Sequence, residues 1–266
     1  MGRRHLYDDQ AGAPIAPENH LPVRQARVLG VRVDCVDMNG ALARIEALVD
    51  GGGRHLVATV NPEFVMRAGY DKEFARVLEA ADLCLADGSG VVWAARRQGC
   101  ELSGPVTGVD LIPPLAALCA RRQFRLFLLG AAPGVAEDLA QRLRAEHPGL
   151  QVATHSGSPE ASADAETVSR IAAERPQVLM VAYGAPKQEL WIDRVGGSLG
   201  GGSVAIGVGG AFDYLTGRVP RAPLLMRRAG MEWLFRLAYQ PWRIRRMVVL
   251  PAYALRVLLA PARTSR

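Results

Sequence analysis

From about residue 26 onward the chain alternates short β-branched apolar runs with stretches whose apolar residues recur three or four positions apart. The runs predict strands over RVLGVRVDCV (27–36, with Gly30 as a candidate break), HLVATV (55–60), DLCLAD (82–87), RLFLLG (125–130), QVATHSG (151–157), VLMVAYG (178–184) and SVAIGVGG (203–210). The longer periods predict helices between them. One is GALARIEALVD (40–50), capped by Asn39, and another is GVAEDLAQRLRAEH (134–147), started at Pro133–Gly134 and stopped at Pro148–Gly149. Strands that are apolar at nearly every position are buried on both faces, and strand–helix alternation builds parallel sheets. The predicted fold class is α/β: a doubly wound, mostly parallel, Rossmann-like sheet.

After Phe212 the alternation ends. The segment RAPLLMRRAGMEWLFRLAYQPWRIRR (221–246) has a helical period with a break at Gln240–Pro241, and Leu224, Leu225, Met231, Leu234 and Leu237 can line one side of it. MVVLPAYALRVLLAPA (247–262) is interrupted by Pro251, Arg256 and Pro261, too short to span a bilayer and suited to a membrane interface. The N-terminal stretch has arginines but no apolar h-region, so it reads as a disordered leader and not as a secretory signal. The organisation predicted is a leader over 1–25, an α/β core over 26–216 and a basic amphipathic helical appendage over 217–266.

Composition narrows the class. With 266 residues, 49% apolar and 22% charged, the chain is neither disordered, collagen-like nor a disulfide-stapled miniprotein. Its net charge of +6 is unevenly spread: residues 217–266 hold 11 Arg and one acid (net +10), against 21 basic and 25 acidic residues before them (net −4). Such a tail seeks an anionic partner. No helix-turn-helix, zinc or RNA-binding sheet signature accompanies it, and arginine mixed with apolar residues suits a membrane interface better than nucleic acid. The four cysteines (Cys35, Cys84, Cys100, Cys119) form no C-x-x-C pair, so a reduced cytoplasmic protein is the simplest reading, with no metal site expected.

In open α/β sheets ligands collect at the carboxyl ends of the strands. Three predicted strand ends carry polar residues. Thr59-Val60-Asn61-Pro62-Glu63 offers Thr59 and Asn61 to a ligand, although Asn61 before Pro62 is also a helix cap. Asp87-Gly88-Ser89-Gly90 offers a carboxylate able to serve as a general base or a hydrogen-bond anchor, and equally a cap. Gly184-Ala185-Pro186-Lys187-Gln188-Glu189 starts a helix with polar groups near its positive end, or simply a solvated first turn. The turn LLGAAPGVAE (128–137) can turn backbone N–H groups toward an anion but matches neither G-x-G-x-x-G nor a P-loop.

Together these pieces resemble the WecG/TagA/CpsF glycosyltransferase family (glycosyltransferase family 26). The matching motifs, in chain order, are TVNPE (59–63), ADLCLADGSGVVWAAR (81–96), VTGVDL (106–111), FLLG (127–130), YGAPKQELWI (183–192), IGVGGAFDYLTGRVPRAP (206–223) and GMEWLFRLAYQPWRIRR (230–246). The resemblance implies an inverting, metal-independent transferase with no cofactor, peripheral at the inner face of the cytoplasmic membrane. It would move a sugar from a UDP-sugar (N-acetylmannosamine, its uronic acid or glucose type) to a polyprenyl-diphosphate-linked sugar for a surface polysaccharide. By motif, Asp87 matches the catalytic base, and Thr59, Asn61 and Gln188 match substrate-pocket residues. Arg236, Arg243 and Arg246 match the basic appendage, which would close over the active site, and that apolar appendage can alternatively mediate a homo-oligomer.

One departure stands out. Where the family usually has an Arg before V-x-G-x-D, this chain has Pro105, so the diphosphate-binding charge has moved to Arg218, Arg221 or a tail arginine, or is missing. The competing readings are a nucleotide-binding Rossmann-type protein, disfavoured by the missing G-x-G-x-x-G, and a non-catalytic membrane-associated scaffold.

Overall fold

The structure is a computed structural model that describes residues 23–199, 202–228, 230–239 and 248–260, with the backbone alone at 228 and 236. The expected leader falls almost wholly outside these residues, although Gln25 already belongs to the first strand. An antiparallel hairpin opens the fold, β1 (Gln25–Val28) against β2 (Val31–Asp34), turning at Leu29–Gly30. The predicted strand 27–36 therefore does break at Gly30, and its halves pair with each other outside the main sheet. β2 lies along the outer side of β4, where the Asp34 carboxylate accepts the Cys84 backbone N–H at 2.7 Å.

The main sheet comprises β3 (Arg54–Val60), β4 (Leu83–Ala86), β5 (Leu126–Gly130), β6 (Val152–His155), β7 (Val178–Ala182) and β8 (Ser203–Gly207). All its pairings are parallel, in the order β4-β3-β8-β7-β5-β6. β4, β5 and β8 are buried at every position, which is why their sequences lack polar alternation. Period-2 geometry sends neighbouring side chains to opposite faces, so Ala58 joins one apolar cluster and Val57 the other.

On the first face α2 (Pro62–Ala68), α3 (Lys72–Ala80), α4 (Ser89–Arg96), α7 (Asp164–Glu174) and α8 (Lys187–Val195) supply Phe64, Phe74, Val91, Ile171 and Trp191. On the second, α1 (Met38–Gly51), α5 (Gly108–Arg122), α6 (Val135–Glu146) and α9 (Ala211–Leu215) supply Ile45, Leu115, Leu139 and Phe212. The cap of α1 is Asp37, which accepts from the Gly40 N–H at 2.8 Å, and not the expected Asn39. The helix starts early enough that Asn39 lies inside its first turn.

Beyond the core, α10 (Leu224–Arg228), α11 (Glu232–Tyr239) and α12 (Val249–Leu259) form the helical C-terminal region. The expected break at Gln240–Pro241 lies outside the described residues, but an earlier one separates α10 from α11 at Gly230. Its φ of +71° suits glycine, and a side chain there would collide with Ser89. Between α12 and the core, Tyr253 and Val257 are buried, and Tyr253 donates its hydroxyl to the Gly90 carbonyl at 3.1 Å.

Cysteine pairing departs from the reduced reading. Cys35 and Cys100 are joined as a disulfide with Cα atoms 5.4 Å apart, tying β2 to the segment after α4. Their separation of 65 residues hides the pairing from any local spacing rule. Cys84 and Cys119 are buried free thiols whose pKa values burial pushes up to about 12.

Candidate active site

The carboxyl ends of the six parallel strands form one edge, and most of the expected site residues gather there. Asp87 follows β4 directly. Its backbone N–H donates to the Val60 carbonyl at 2.8 Å, fixing it beside the end of β3, and its side chain is half-buried. The C-terminal helices roof this turn: Ser89 Oγ donates to the Gly230 carbonyl at 3.5 Å, and Tyr253 holds Gly90.

The guanidinium of the neighbouring Arg221 is held by a second carboxylate, Asp110. Arg221 Nη1 and Nη2 donate to Asp110 Oδ1 and Oδ2 at 2.7 and 2.6 Å, and Glu232 Oε1 on α11 stands 3.9 Å from Arg221 Nε. The Asp110 hydrogen bonds raise the Arg221 pKa against the opposing effect of burial, with further support from the charges of Asp110, Glu232 and Asp87. Burial pushes the Asp110 carboxyl up, but the Arg221 fork, the Thr107 hydroxyl and the charges of Arg221 and Arg227 together hold it below its ordinary value.

Thr107 and Asp110 were missed as site residues. They form a reciprocal cap on α5: Thr107 Oγ1 accepts from the Asp110 N–H at 3.1 Å and donates to Asp110 Oδ2 at 2.8 Å. The signal was present, because T-x-x-D before an apolar helix is a capping-box pattern. Pro105 lies alongside: the Val106 N–H donates to the Ala86 carbonyl at 2.8 Å, so position 105 neighbours the Asp87 turn and brings no charge to it.

Arg218 occupies a different part of the edge. Its Nη2 donates to Asp138 Oδ2 on α6 at 2.8 Å, and it stands 3.5 Å from where a Gly134 Cβ would be, at the N-terminus of α6. This ion pair is exposed at both ends.

The remaining polar residues face inward. Thr59 is buried and donates Oγ1 to the Gly207 carbonyl at 2.9 Å. Asn61 caps α2, its Oδ1 accepting from the Phe64 N–H at 3.1 Å. Gln188 is 1% exposed, and its Oε1 accepts from the N–H groups of Gly184 at 3.1 Å and Gly209 at 3.0 Å. The side chain of Arg236, on α11, and residues Arg243 and Arg246 lie outside what the structure describes.

Among the described residues no three His, Cys, Asp or Glu side chains converge as a metal site requires, and no helix is long and apolar enough to cross a membrane.

A doubly wound parallel sheet with polar and charged residues gathered at its carboxyl edge puts the molecule among α/β proteins that bind a ligand at that edge. Sequence comparison makes the class specific. The chain belongs to the Glycosyl transferase WecG/TagA/CpsF family, whose profile matches residues 26–266. It is 35% identical over 204 residues to the N-acetylglucosaminyldiphosphoundecaprenol N-acetyl-beta-D-mannosaminyltransferase of Bacillus subtilis (strain 168), covering 76% of this chain and 78% of that protein. The enzyme of the same name from Staphylococcus aureus (strain NCTC 8325 / PS 47) is 28% identical over 235 residues, 88% of this chain and 92% of that protein.

Proposed function

We propose that this glycosyltransferase is inverting and metal-independent, and transfers N-acetylmannosamine from its UDP derivative to a polyprenyl-diphosphate-linked N-acetylglucosamine at a membrane surface. The substrates follow the names of the two relatives. The mechanism rests on the position of Asp87, half-buried directly after β4 at the carboxyl edge of the sheet.

Inversion requires one base on the face opposite the leaving group. The Asp87 carboxylate takes the proton from the acceptor hydroxyl as its oxygen bonds to the anomeric carbon, and the bond from that carbon to the UDP oxygen breaks with its electron pair leaving on UDP. Charge then develops on the diphosphate, where guanidinium groups and helix N–H groups stabilise it. Arg218 lies too far along the edge for the breaking bond and suits the far end of the donor, because its exposed pairing with Asp138 is worth little and is readily exchanged. The ends of β4 and β5 are four strand spacings apart, roughly 19 Å. No single small anion bridges that distance, whereas a nucleotide-sugar laid along the edge meets both ends.

The acceptor's lipid draws the appendage to a bilayer. Leu225 and Leu259 are 79% and 77% exposed, and Leu224, Val248, Leu255 and Leu258 are exposed with them. This apolar surface in the Arg-rich tail matches an anionic membrane interface, each basic residue there contributing about 1 kcal/mol.

The test is Asp87→Asn assayed by UDP release from UDP-N-acetylmannosamine with a lipid-diphosphate-linked N-acetylglucosamine acceptor. Loss of the base lowers kcat by about 10²–10⁴-fold with an unchanged circular dichroism spectrum. Turnover near that of the natural chain rejects Asp87 as base, and abolition of activity by EDTA, reversed by Mg²⁺ or Mn²⁺, rejects the metal-free route.

A further inference from the structure

Beneath the ligand edge, α8 carries an acidic side chain that the transfer step leaves unused. Glu189 is fully buried. Its Oε1 accepts from Gln188 Nε2 at 2.7 Å, while its Oε2 has no hydrogen-bond partner among the described residues. Burial pushes the carboxyl up to about 7, although the Gln188 hydrogen bond favours the charged form. Burial therefore favours the neutral carboxyl, which lowers the cost of enclosing it.

The pair lies against β8 because position 207 has no side chain: a Cβ there would overlap Glu189 Oε1 and stand 2.6 Å from Gln188 Nε2. The Gly207 carbonyl in turn accepts the Thr59 hydroxyl. Thr59, the Gly207 backbone and the Gln188–Glu189 pair thus lie against one another across β3, β8 and α8. Gln188 Oε1 takes the N–H groups of Gly184 and Gly209, one in each of the loops that follow β7 and β8 at the ligand edge. With its Nε2 unheld, the Gln188 amide is anchored only through Oε1, so the two loop N–H groups share a less firmly fixed acceptor.

We propose that Glu189 is a positioning residue of the transfer reaction: by holding the Gln188 amide it fixes the Gly184 and Gly209 backbones, and so the two loops that align the substrates. Only the kinetic arm of its test rests on the sugar-transfer reading above.

The test compares Glu189→Leu with Glu189→Gln. Leucine fills a similar volume without a buried carboxyl but offers Gln188 no acceptor, whereas glutamine keeps the acceptor. Hydrogen exchange at Gly184 and Gly209 is expected to speed up about tenfold or more in Glu189→Leu and to stay near natural in Glu189→Gln. With UDP-N-acetylmannosamine, kcat falls about tenfold in the leucine variant, KM moves less, and the glutamine variant restores turnover. Unchanged exchange at both glycines in Glu189→Leu overturns the proposal whatever the turnover. A natural chain that does not transfer this sugar counts against the functional reading, and the exchange arm still decides the role of Glu189.

Discussion

The ion pair between Asp110 and Arg221 joins the capped start of α5 to the segment that leads into the C-terminal helices, so its strength sets how firmly that region is held over Asp87. Two parallel contacts of 2.7 and 2.6 Å give it a bidentate geometry. The side chains are 39% and 21% exposed, which places the pair between surface and interior. Fully exposed pairs contribute about 0.2–1 kcal/mol, and well-formed hydrogen bonds to charged groups about 1.5–3 kcal/mol. Discounting the upper range for solvent on the Asp110 side gives a coupling of about 2 kcal/mol, or about 5 °C in Tm for a chain of this size.

A double-mutant cycle with Asp110→Asn, Arg221→Gln and both together, read by urea denaturation at pH 7, measures that coupling directly. The pH dependence supplies a second reading with a fixed sign. The folded Asp110 carboxyl is held below its ordinary value of 3.8, so its contribution is fully present above that value and is lost as pH falls through the lower folded one. The natural chain and Asp110→Asn are therefore separated at pH 7 and begin to converge as the pH falls below about 4. A coupling under about 0.5 kcal/mol, or a stability gap that does not narrow as the pH falls below about 4, refutes the reasoning.

Two further outcomes follow from the same edge and its roof. Arg218→Gln raises KM for the UDP-sugar about tenfold and leaves stability within about 0.5 kcal/mol, because its pairing with Asp138 is exposed; an unchanged KM removes Arg218 from the donor site. Leu225→Ser with Leu259→Ser weakens partition onto anionic liposomes at least about tenfold, since each leucine withdrawn from water contributes about 1.5–3 kcal/mol. Sedimentation equal to the natural chain's rejects this surface as the membrane contact.

The core was legible because its strands are buried on both faces and their apolar runs stand out against amphipathic helices. The strand ends were legible for the same reason: once HLVATV and DLCLAD are strands, Asn61 and Asp87 must fall at one edge. What local reading misses is pairing across the chain. Arg221 meets Asp110 over 111 residues, and Cys35 meets Cys100 over 65. Residue type also leaves orientation open. Thr59 and Gln188 stand at the expected strand ends, yet their polar atoms serve Gly207, Gly184 and Gly209 within the sheet edge. The earlier helix break at Gly230 was hidden because a helical period tolerates one glycine, and only contact with Ser89 decides the turn.

The appendage has two chemistries on its two sides, and they bear on each other. Inward, it presents the Gly230 carbonyl to Ser89, Glu232 to Arg221 and the Tyr253 hydroxyl to Gly90, all within the Asp87 turn or the arginine beside it. Outward, α12 exposes Leu255 and Leu259, and the neighbouring α10 exposes Leu225. On the proposed membrane reading, a bilayer that takes up the outward side would press on the elements that roof the carboxylate and link ordering of the site to arrival at the acceptor. Deleting the tail would remove roof and anchor together and cannot separate the two effects. Substituting only the outward leucines keeps every inward contact. Such variants lose activity on a lipid-linked acceptor while keeping it on a short soluble analogue, if roof and anchor are physically distinct faces of the appendage.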